Sequence, residues 1–301
     1  MAATDINAPA VGPSGIRPKH LTVGRVGLYL ALTLAAIFFL APLYVMIVTS
    51  LKSMDEIRQG NVIALPEAAS LAAWTRAWAE ACTGLRCEGI QVGFWNSVRI
   101  LIPSLIVSIM AGSIVGYVLS YWKFRGSELF YGLLLFGAFV PYQIIIYPLI
   151  RVFSTIGLYG SLPAIVVIHT VLGLPIMVLI FRNFYSTLPS ELFKAARIDG
   201  AGFFALYWYV LLPISKPIFV VALILQVTGI WNDFLLGLIF GGSENMPMTV
   251  QLNNIVATFQ GEVEFNTNMA ATMLTAIVPL AVYFVSGRWF VRGITQGAVK
   301  G

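Results

Sequence analysis

Six stretches of this 301-residue chain carry almost no charge, and they limit what it can fold into more than any other feature. Residues 26–51, 100–122, 129–150, 152–181 and 265–287 contain no Asp, Glu, Lys or Arg, and 218–240 contains a single acid, Asp233. A helix needs about 20 predominantly apolar residues to cross the hydrocarbon core, where it alone satisfies its own backbone within one segment. The dyad alternation of a β-barrel strand is absent. The expectation is an all-α membrane protein with six transmembrane helices. Composition agrees: 10% of residues are charged and 58% hydrophobic, against about 25% charged in soluble domains. A mean hydropathy of +0.86 leaves too little polar surface for a water-soluble globule.

Orientation follows from the basic residues, which favour the cytoplasmic side. With the N-terminus inside, the inner segments hold Arg17, Lys19, Arg25, Lys123, Arg125, Arg182, Lys194, Arg197, Lys216, Arg288, Arg292 and Lys300. The outer segments hold Lys52, Arg58, Arg76, Arg86 and Arg151, with Arg99 at a helix mouth. That bias puts both termini in the cytoplasm, and the loop 241–268, without Lys or Arg, outside. Residues 1–20, rich in Pro, Gly and Ala, read as a mobile cytoplasmic tail, and 21–301 as one transmembrane domain. Within it, 52–93 is an outside loop and 182–217 a cytoplasmic one. The first apolar run is too long for a signal-peptide core and reads as a retained anchor. The net charge of +5 is the inside charge of a membrane protein and needs no nucleic acid.

Both cysteines, Cys82 and Cys87, fall in the outside loop, where an oxidising compartment favours a bridge; two free thiols are the alternative. A zinc site would need more ligands than that loop offers. Phosphate-binding, metalloprotease and serine-hydrolase motifs are absent. Gly200-Ala-Gly202-Phe-Phe-Ala205 fits G-x-G-x-x-A but follows a helical stretch instead of a strand, so its glycines read as a helix stop and a turn. The expectation is a chain that catalyses nothing itself, with no metal and no bound cofactor.

The loop 182–217 is the informative one. Pro189 can open a helix, with Ser190 available to cap it and Glu191 favourable in its first turn. Leu192, Ala195 and Ala196 fall on one face, and Gly200 is placed as the stop. A second, aromatic helix from Phe203 to Leu211 is expected to end at Pro213 and Pro217. A helix-turn-helix with a small-residue face suits docking on a cytoplasmic protein; a structural helix lying on lipid is the other reading.

Lys194-Ala195-Ala196-x3-Gly200-x9-Val210-x-Leu212-Pro213, with Asp199 before the glycine, resembles the E-A-A-x3-G-x9-I-x-L-P loop of permease subunits in binding-protein-dependent ABC importers. Lys194 stands where that family has Glu, and Val210 where it has Ile. Pro42-Leu43, Ser50-Leu51-Lys52, Glu56-Ile57, Phe94-x-Asn96-Ser97, Tyr117-x-Leu119-Ser120, Phe124-Arg125-Gly126 and Trp231-Asn232-x-Phe234-Leu235 are similar to its carbohydrate-uptake branch. Ala81-Cys82-Thr83-Gly84, Cys87, Phe94-Trp95-Asn96-Ser97 and Gly229-Ile-Trp-Asn-Asp-Phe234 look like glucose/mannose permeases. The resemblance implies a sugar importer in which this chain forms half of the pore. It implies a second, homologous permease, two cytoplasmic ATPase subunits that use ATP and Mg, and an outside sugar-binding protein, all at a bacterial inner membrane. Glu191, Lys194, Ala195, Ala196, Asp199, Gly200, Gly202, Leu212 and Pro213 would then couple the chain to the ATPase.

Asp233 is the one acid within a spanning run, and such groups face a cavity more readily than lipid. Asp233 and Asn232 can serve sugar hydroxyls and Trp231 can cover a sugar's C–H face; helix capping or packing at a subunit interface is the alternative. Gln143, His169 and Gln226 are further candidates of that type. Gly112-x-x-x-Gly116 reads as helix packing. Three other readings compete: an importer for another sugar such as maltose, trehalose or an oligosaccharide, an ion-coupled secondary sugar transporter, and a membrane scaffold without transport. The second would need several ionisable groups at mid-membrane, where one Asp stands; the third predicts no pathway and no ATPase partner.

Overall fold

The computed structural model describes residues 23–83, 86–122, 124–257 and 263–298, with side chains described as far as residue 287. The tail expected over residues 1–20, Lys123 and Lys300 lie outside the described residues, and the side chains of Arg288 and Arg292 are not described. In chain order, α1 (Val23–Ser50) is followed by the short α2 (Met54–Arg58) and α3 (Ala72–Ala79), then α4 (Gln91–Tyr121). α5 (Ser127–Phe139) and α6 (Tyr142–Thr155) lead to α7 (Leu162–Ser186). α8 (Ser190–Ile198) and α9 (Phe203–Ala205) precede a π-helical stretch, Leu206–Leu211, and α10 (Leu212–Ile214). α11 (Lys216–Trp231), α12 (Leu235–Phe240), α13 (Met248–Val256) and α14 (Phe265–Ala298) complete the order.

No strand occurs among the described residues. Among the described residues four helices are long and apolar enough to cross a bilayer: α1, α4, α7 and the Phe265–Gly287 part of α14. Two further pairs reach that length only together, α5 with α6 at a bend of 98° and Phe203–Ile214 with α11 at a bend of 79°. The six spans expected thus become four helices, or six if each bent pair counts as one.

Three expected spans differ in detail. The run 129–150 is broken because Val140 precedes Pro141 and adopts an extended backbone at φ −69° and ψ 122°, as residues before proline do. The run 152–181 is not one helix: α6 stops at Thr155, and Gly157 and Gly160, at φ +72° and +76°, turn the chain. Ser161 then accepts from the Ala164 amide to cap α7, with Pro163 in the first turn. The run 218–240 stops at Trp231, so α11 has 16 residues, and α12 follows as a separate short helix.

Backbone packing divides the chain into two compact units, residues 1–46 and 47–301. Among the described residues the first is α1 up to residue 46, an apolar helix with Pro42 inside it. The second is organised around α4 and α7. A Cβ on Gly112 would lie 2.4 Å from Met177 Cβ, and one on Gly116 would lie 2.8 Å from Phe181 Cβ, so these two glycines let the α7 backbone approach. Ser104, Ser108 and Ser113 extend the same small face of α4, where a hydroxyl can return its proton to the helix's own carbonyl. Ser104 does so to Ile100 at 2.7 Å. Ser113 Oγ pairs with the Tyr185 hydroxyl at 2.6 Å and accepts from Tyr207 at 2.9 Å. One buried hydroxyl cluster therefore joins α4, α7 and the π stretch.

The Gln91 end of α4 is held by the segment leading into α13. The Gly93 amide donates to Gln251 Oε1 at 2.8 Å, Asn96 Nδ2 donates to the Glu244 and Met246 carbonyls, and Ser97 Oγ accepts from the Met248 amide at 2.8 Å. Nearby, Cys82 and Cys87 are joined in a disulfide, and Arg86 between them forms a two-pronged ion pair with Glu244. Arg76 pairs with Glu264. At the start of the same region Ser53 and Glu56 cap α2 reciprocally, and the Glu56 carboxylate also accepts from the Glu67 amide. These hydrogen bonds, the Glu67 amide first, hold the Glu56 carboxyl below its ordinary pKa.

Candidate functional site

Two places gather the expected residues. The first is α8 and its exit. Pro189, extended at ψ 132°, is the N-cap, so Ser190 is the first helical residue and not the cap it was expected to be. Ser190 Oγ donates instead to Glu191 Oε1 at 3.0 Å. The Glu191 carboxyl lies below its ordinary pKa, held there by its own backbone N–H at the helix start, then by Ser190 and by the charge of Lys194. At the other end Asp199 is the C-cap, Gly200 has φ +85°, and two backbone bonds close the helix: Gly200 N–H to the Arg197 carbonyl at 3.0 Å and Ala201 N–H to the Ala196 carbonyl at 2.9 Å. This is the Schellman arrangement, which requires a left-handed residue where Gly200 stands. Gly202 is extended and opens α9.

The expected single face of Leu192, Ala195 and Ala196 does not form. Phe193 is buried and stacks on Tyr121 at 3.6 Å between ring centroids, and Ala196 and Ala201 pack beside it. Leu192, Ala195 and Ile198 are exposed, Ile198 at 86%. Phe193 lies outside the expected face, and its sequence signal is an aromatic three positions before Ala196. Nor does Pro213 end the second helix. Phe203–Ile214 runs on through it, wound with wider π turns over Leu206–Leu211, and the break comes at Ser215. Pro213 sits in α10 directly after the π turns. Leu212 is half-buried and Pro213 exposed.

The second place is a cavity of about 660 Å³ where α11 ends. Its lining brings together Asp233, Asn232, Gln226 and His169, with Tyr142 from the start of α6. Non-helical backbone among membrane spans is tolerated where it lines a cavity. Asp233 caps a helix and also lines the cavity. Its carboxylate accepts the Gly237 amide at 2.9 Å and the Leu236 amide at 3.4 Å, capping α12, and lies 3.8 Å from His169 Nε2 while lining the cavity. A carboxylate has about four acceptor positions, so donors from a ligand can still be met. Gln226 Nε2 donates to Ser108 Oγ at 2.7 Å, and Gly173 makes room for it: a Cβ there would lie 2.3 Å from that nitrogen.

Trp231 does not join this group. It is buried, its indole N–H donates to the Thr275 carbonyl at 2.9 Å, and its ring packs edge-on against Phe94. Trp231 is a core residue that pins α11 to α14. Gln143 is exposed and lies outside the lining. The cavity can therefore supply one carboxylate, two amides, an imidazole and a phenol to a polyhydroxylated ligand, without the indole platform.

Residues 108–298, which include α8, the π stretch and the cavity, match the family model for the binding-protein-dependent transport system inner membrane component. The chain belongs to that family. The xylose/arabinose import permease protein XacI of Haloferax volcanii is 31% identical over 93% of this chain and 95% of its own. A protein of Pyrococcus horikoshii named "Probable ABC transporter permease protein" is 42% identical over 59% of this chain and 64% of its own, so the match spans somewhat under two thirds of that relative. The crystal structure of a bacterial ABC transporter involved in the import of the acidic polysaccharide alginate contains a chain that matches with a TM-score of 0.75. It is 20% identical, over 90% of this chain and 99% of that one, and the likeness is one of fold. As an inner-membrane component, this multi-pass chain is a transport subunit; the ATPase of such a system is a partner protein.

Proposed function

We propose that this chain is one of two permease subunits of an ATP-driven importer for a monosaccharide such as glucose or mannose. The glucose/mannose assignment draws on the resemblance of Ala81, Cys82, Thr83 and of the run Gly229 to Phe234 to such permeases. A second, homologous permease completes the pathway, two cytoplasmic ATPase subunits use ATP and Mg, and an outside binding protein delivers the sugar. Both termini lie in the cytoplasm, and the disulfide-bearing segment lies outside.

The capped α8 is the observation that carries the coupling role. Phe193 fixes one side of the helix to the chain, and Gly200 ends it abruptly, so Leu192, Ala195 and Ile198 are offered to a partner on a rigid support. Glu191, Lys194, Asp199 and Gly202 are exposed around that contact, and Leu212 and Pro213 of α10 complete the coupling set. ATP-driven closure of the ATPase pair would move two such helices together, and the spans would follow as rigid bodies from inward- to outward-facing. The cavity at Asp233 is this subunit's share of the sugar pathway, where Asn232, Gln226 and His169 meet hydroxyls and Asp233 accepts their protons in hydrogen bonds.

Proteoliposomes holding the complete complex and its binding protein test the reading. Uptake of labelled glucose or mannose is expected to need internal ATP and to persist with ionophores. Uptake abolished by ionophores and indifferent to ATP would make the chain an ion-coupled carrier instead.

A further inference from the structure

α8 presents three chemically different strips. Phe193 and Ala196 face inward, and Leu192, Ala195 and Ile198 face away from the chain. Ser190, Lys194 and Arg197, four and three residues apart, share a third strip that borders a pocket of about 170 Å³ completed by Phe193, Tyr117, Tyr121 and Leu206. Among the described residues no carboxylate comes within ion-pair distance of Lys194 or Arg197. The nearby acid, Glu191, takes its hydrogen bond from Ser190 and does not line the pocket. The two phenols offer no protons either: Tyr121 donates to the Tyr185 carbonyl at 2.8 Å and Tyr117 to the Phe203 carbonyl at 3.4 Å. What remains is an ammonium and a guanidinium above a floor of aromatic carbon, which selects an anion attached to an apolar body.

Position supplies the second constraint. The Arg197 guanidinium lies 5.5 Å from the ring centre of Trp122, the C-cap of α4, and Trp208 and Tyr209 are exposed in the adjoining π stretch. Trp and Tyr collect at the headgroup level of a bilayer, and basic pockets at that level take lipid phosphates. Ile106 and Met110 share the face of α4 that carries Tyr117 and Tyr121, each eleven residues away, about 16 Å along the axis. There an apolar groove of about 290 Å³ opens against Phe219 and Leu223 of α11. That depth is where one leaflet, half of a core about 30 Å thick, keeps its acyl chains.

We infer that Lys194 and Arg197 hold the phosphate of an anionic phospholipid in the leaflet bordering α8, with an acyl chain in the groove at Ile106 and Met110. The lysine in place of the family's usual acid is then a lipid contact on the flank of α8.

The full chain in its native complex, reconstituted in nanodiscs of mixed phosphatidylglycerol and phosphatidylcholine, tests this by native mass spectrometry under progressive delipidation. One phosphatidylglycerol is expected to stay bound after phosphatidylcholine is stripped. The double variant Lys194→Gln, Arg197→Gln should hold it about 30-fold more weakly, equivalent to about 1 kcal/mol for each basic group. Lys194→Arg, which keeps the charge, should hold it as the wild type does, and this separates a lost contact from a damaged fold. Equal retention by the double variant overturns the inference. A further arm adds millimolar inorganic phosphate: if phosphate displaces the lipid through the same two residues and binds the lipid-free complex as tightly, the ligand is a free anion and the lipid assignment falls.

Discussion

The amide of Ala201 reaches back to the carbonyl of Ala196 at 2.9 Å, across a glycine whose φ is +85°. With the Gly200 N–H bond to the Arg197 carbonyl, it turns the chain out of α8, and the pair requires residue 200 to be left-handed. Apart from its chain neighbours, nothing lies within 4 Å of the place a Cβ would take on Gly200, so a side chain there is penalised by backbone conformation alone. For a β-branched residue the penalty is on the order of 1–2 kcal/mol, whereas Asn enters this region readily. Gly200→Val is expected to insert normally, lose sugar uptake, and lose or uncouple its ATPase, while Gly200→Asn keeps all three. Wild-type transport by Gly200→Val would remove the coupling role from α8.

Asp233 caps α12 through the amides of Leu236 and Gly237 and also faces the cavity. Asn keeps an acceptor for the cap but not the charge. Asp233→Asn is expected to reduce uptake about tenfold, the lower end of what a charged hydrogen bond contributes, with unchanged amounts of protein in the membrane. Uptake kinetics across a range of sugar concentrations check this; unaltered kinetics would leave Asp233 as a cap only.

Titration of the denatured, unreduced chain should find no free thiol, and two after reduction, because Cys82 and Cys87 are its only cysteines and are bridged. The closed loop is short, so chain-entropy reasoning gives a stabilisation of about 2 kcal/mol. Replacing both with Ser should lower the melting midpoint slightly while leaving insertion intact.

Gly112→Ala places a methyl within 2.4 Å of Met177 Cβ, and neither helix can yield without parting from the other. Overpacking of this kind costs about 1–3 kcal/mol, which thermal unfolding in detergent reads as a drop of roughly 2–4 °C per kcal/mol. Gly132→Ala in α5, which meets nothing within 4 Å, is the control and should not lower the midpoint.

The helical class, the helix-stop at Gly200 and the close approach at Gly112 and Gly116 were legible in the sequence because each rests on a local rule: apolar length, a missing Cβ, small-residue spacing. The breaks were harder. Counting charges locates the ends of a span only when a loop is charged, and the turn through Gly157 and Gly160 contains none. Adjacent residues at a helix end also diverge in ways periodicity does not anticipate. Trp231 is the last residue of α11 and points into the core, while Asn232 and Asp233, just past the end, line the cavity. Phe193 escaped because its inward direction depends on Tyr121, which is remote in sequence.

The hold of Gln251 and Met248 on the start of α4 has a consequence for synthesis. The first amides of a helix have no partner within it, and here Gly93 finds its acceptor on a residue 158 positions later. The ribosome delivers α4 and α7 long before that acceptor, so the two can pair in the membrane while one end of α4 still depends on water for its hydrogen bonds. Release of the finished end awaits the emergence of α13. A chain interrupted ahead of Met248 would possess α1, α4, α7 and α11 yet keep an open helix mouth, a surface by which quality control can tell an unfinished subunit from a completed one.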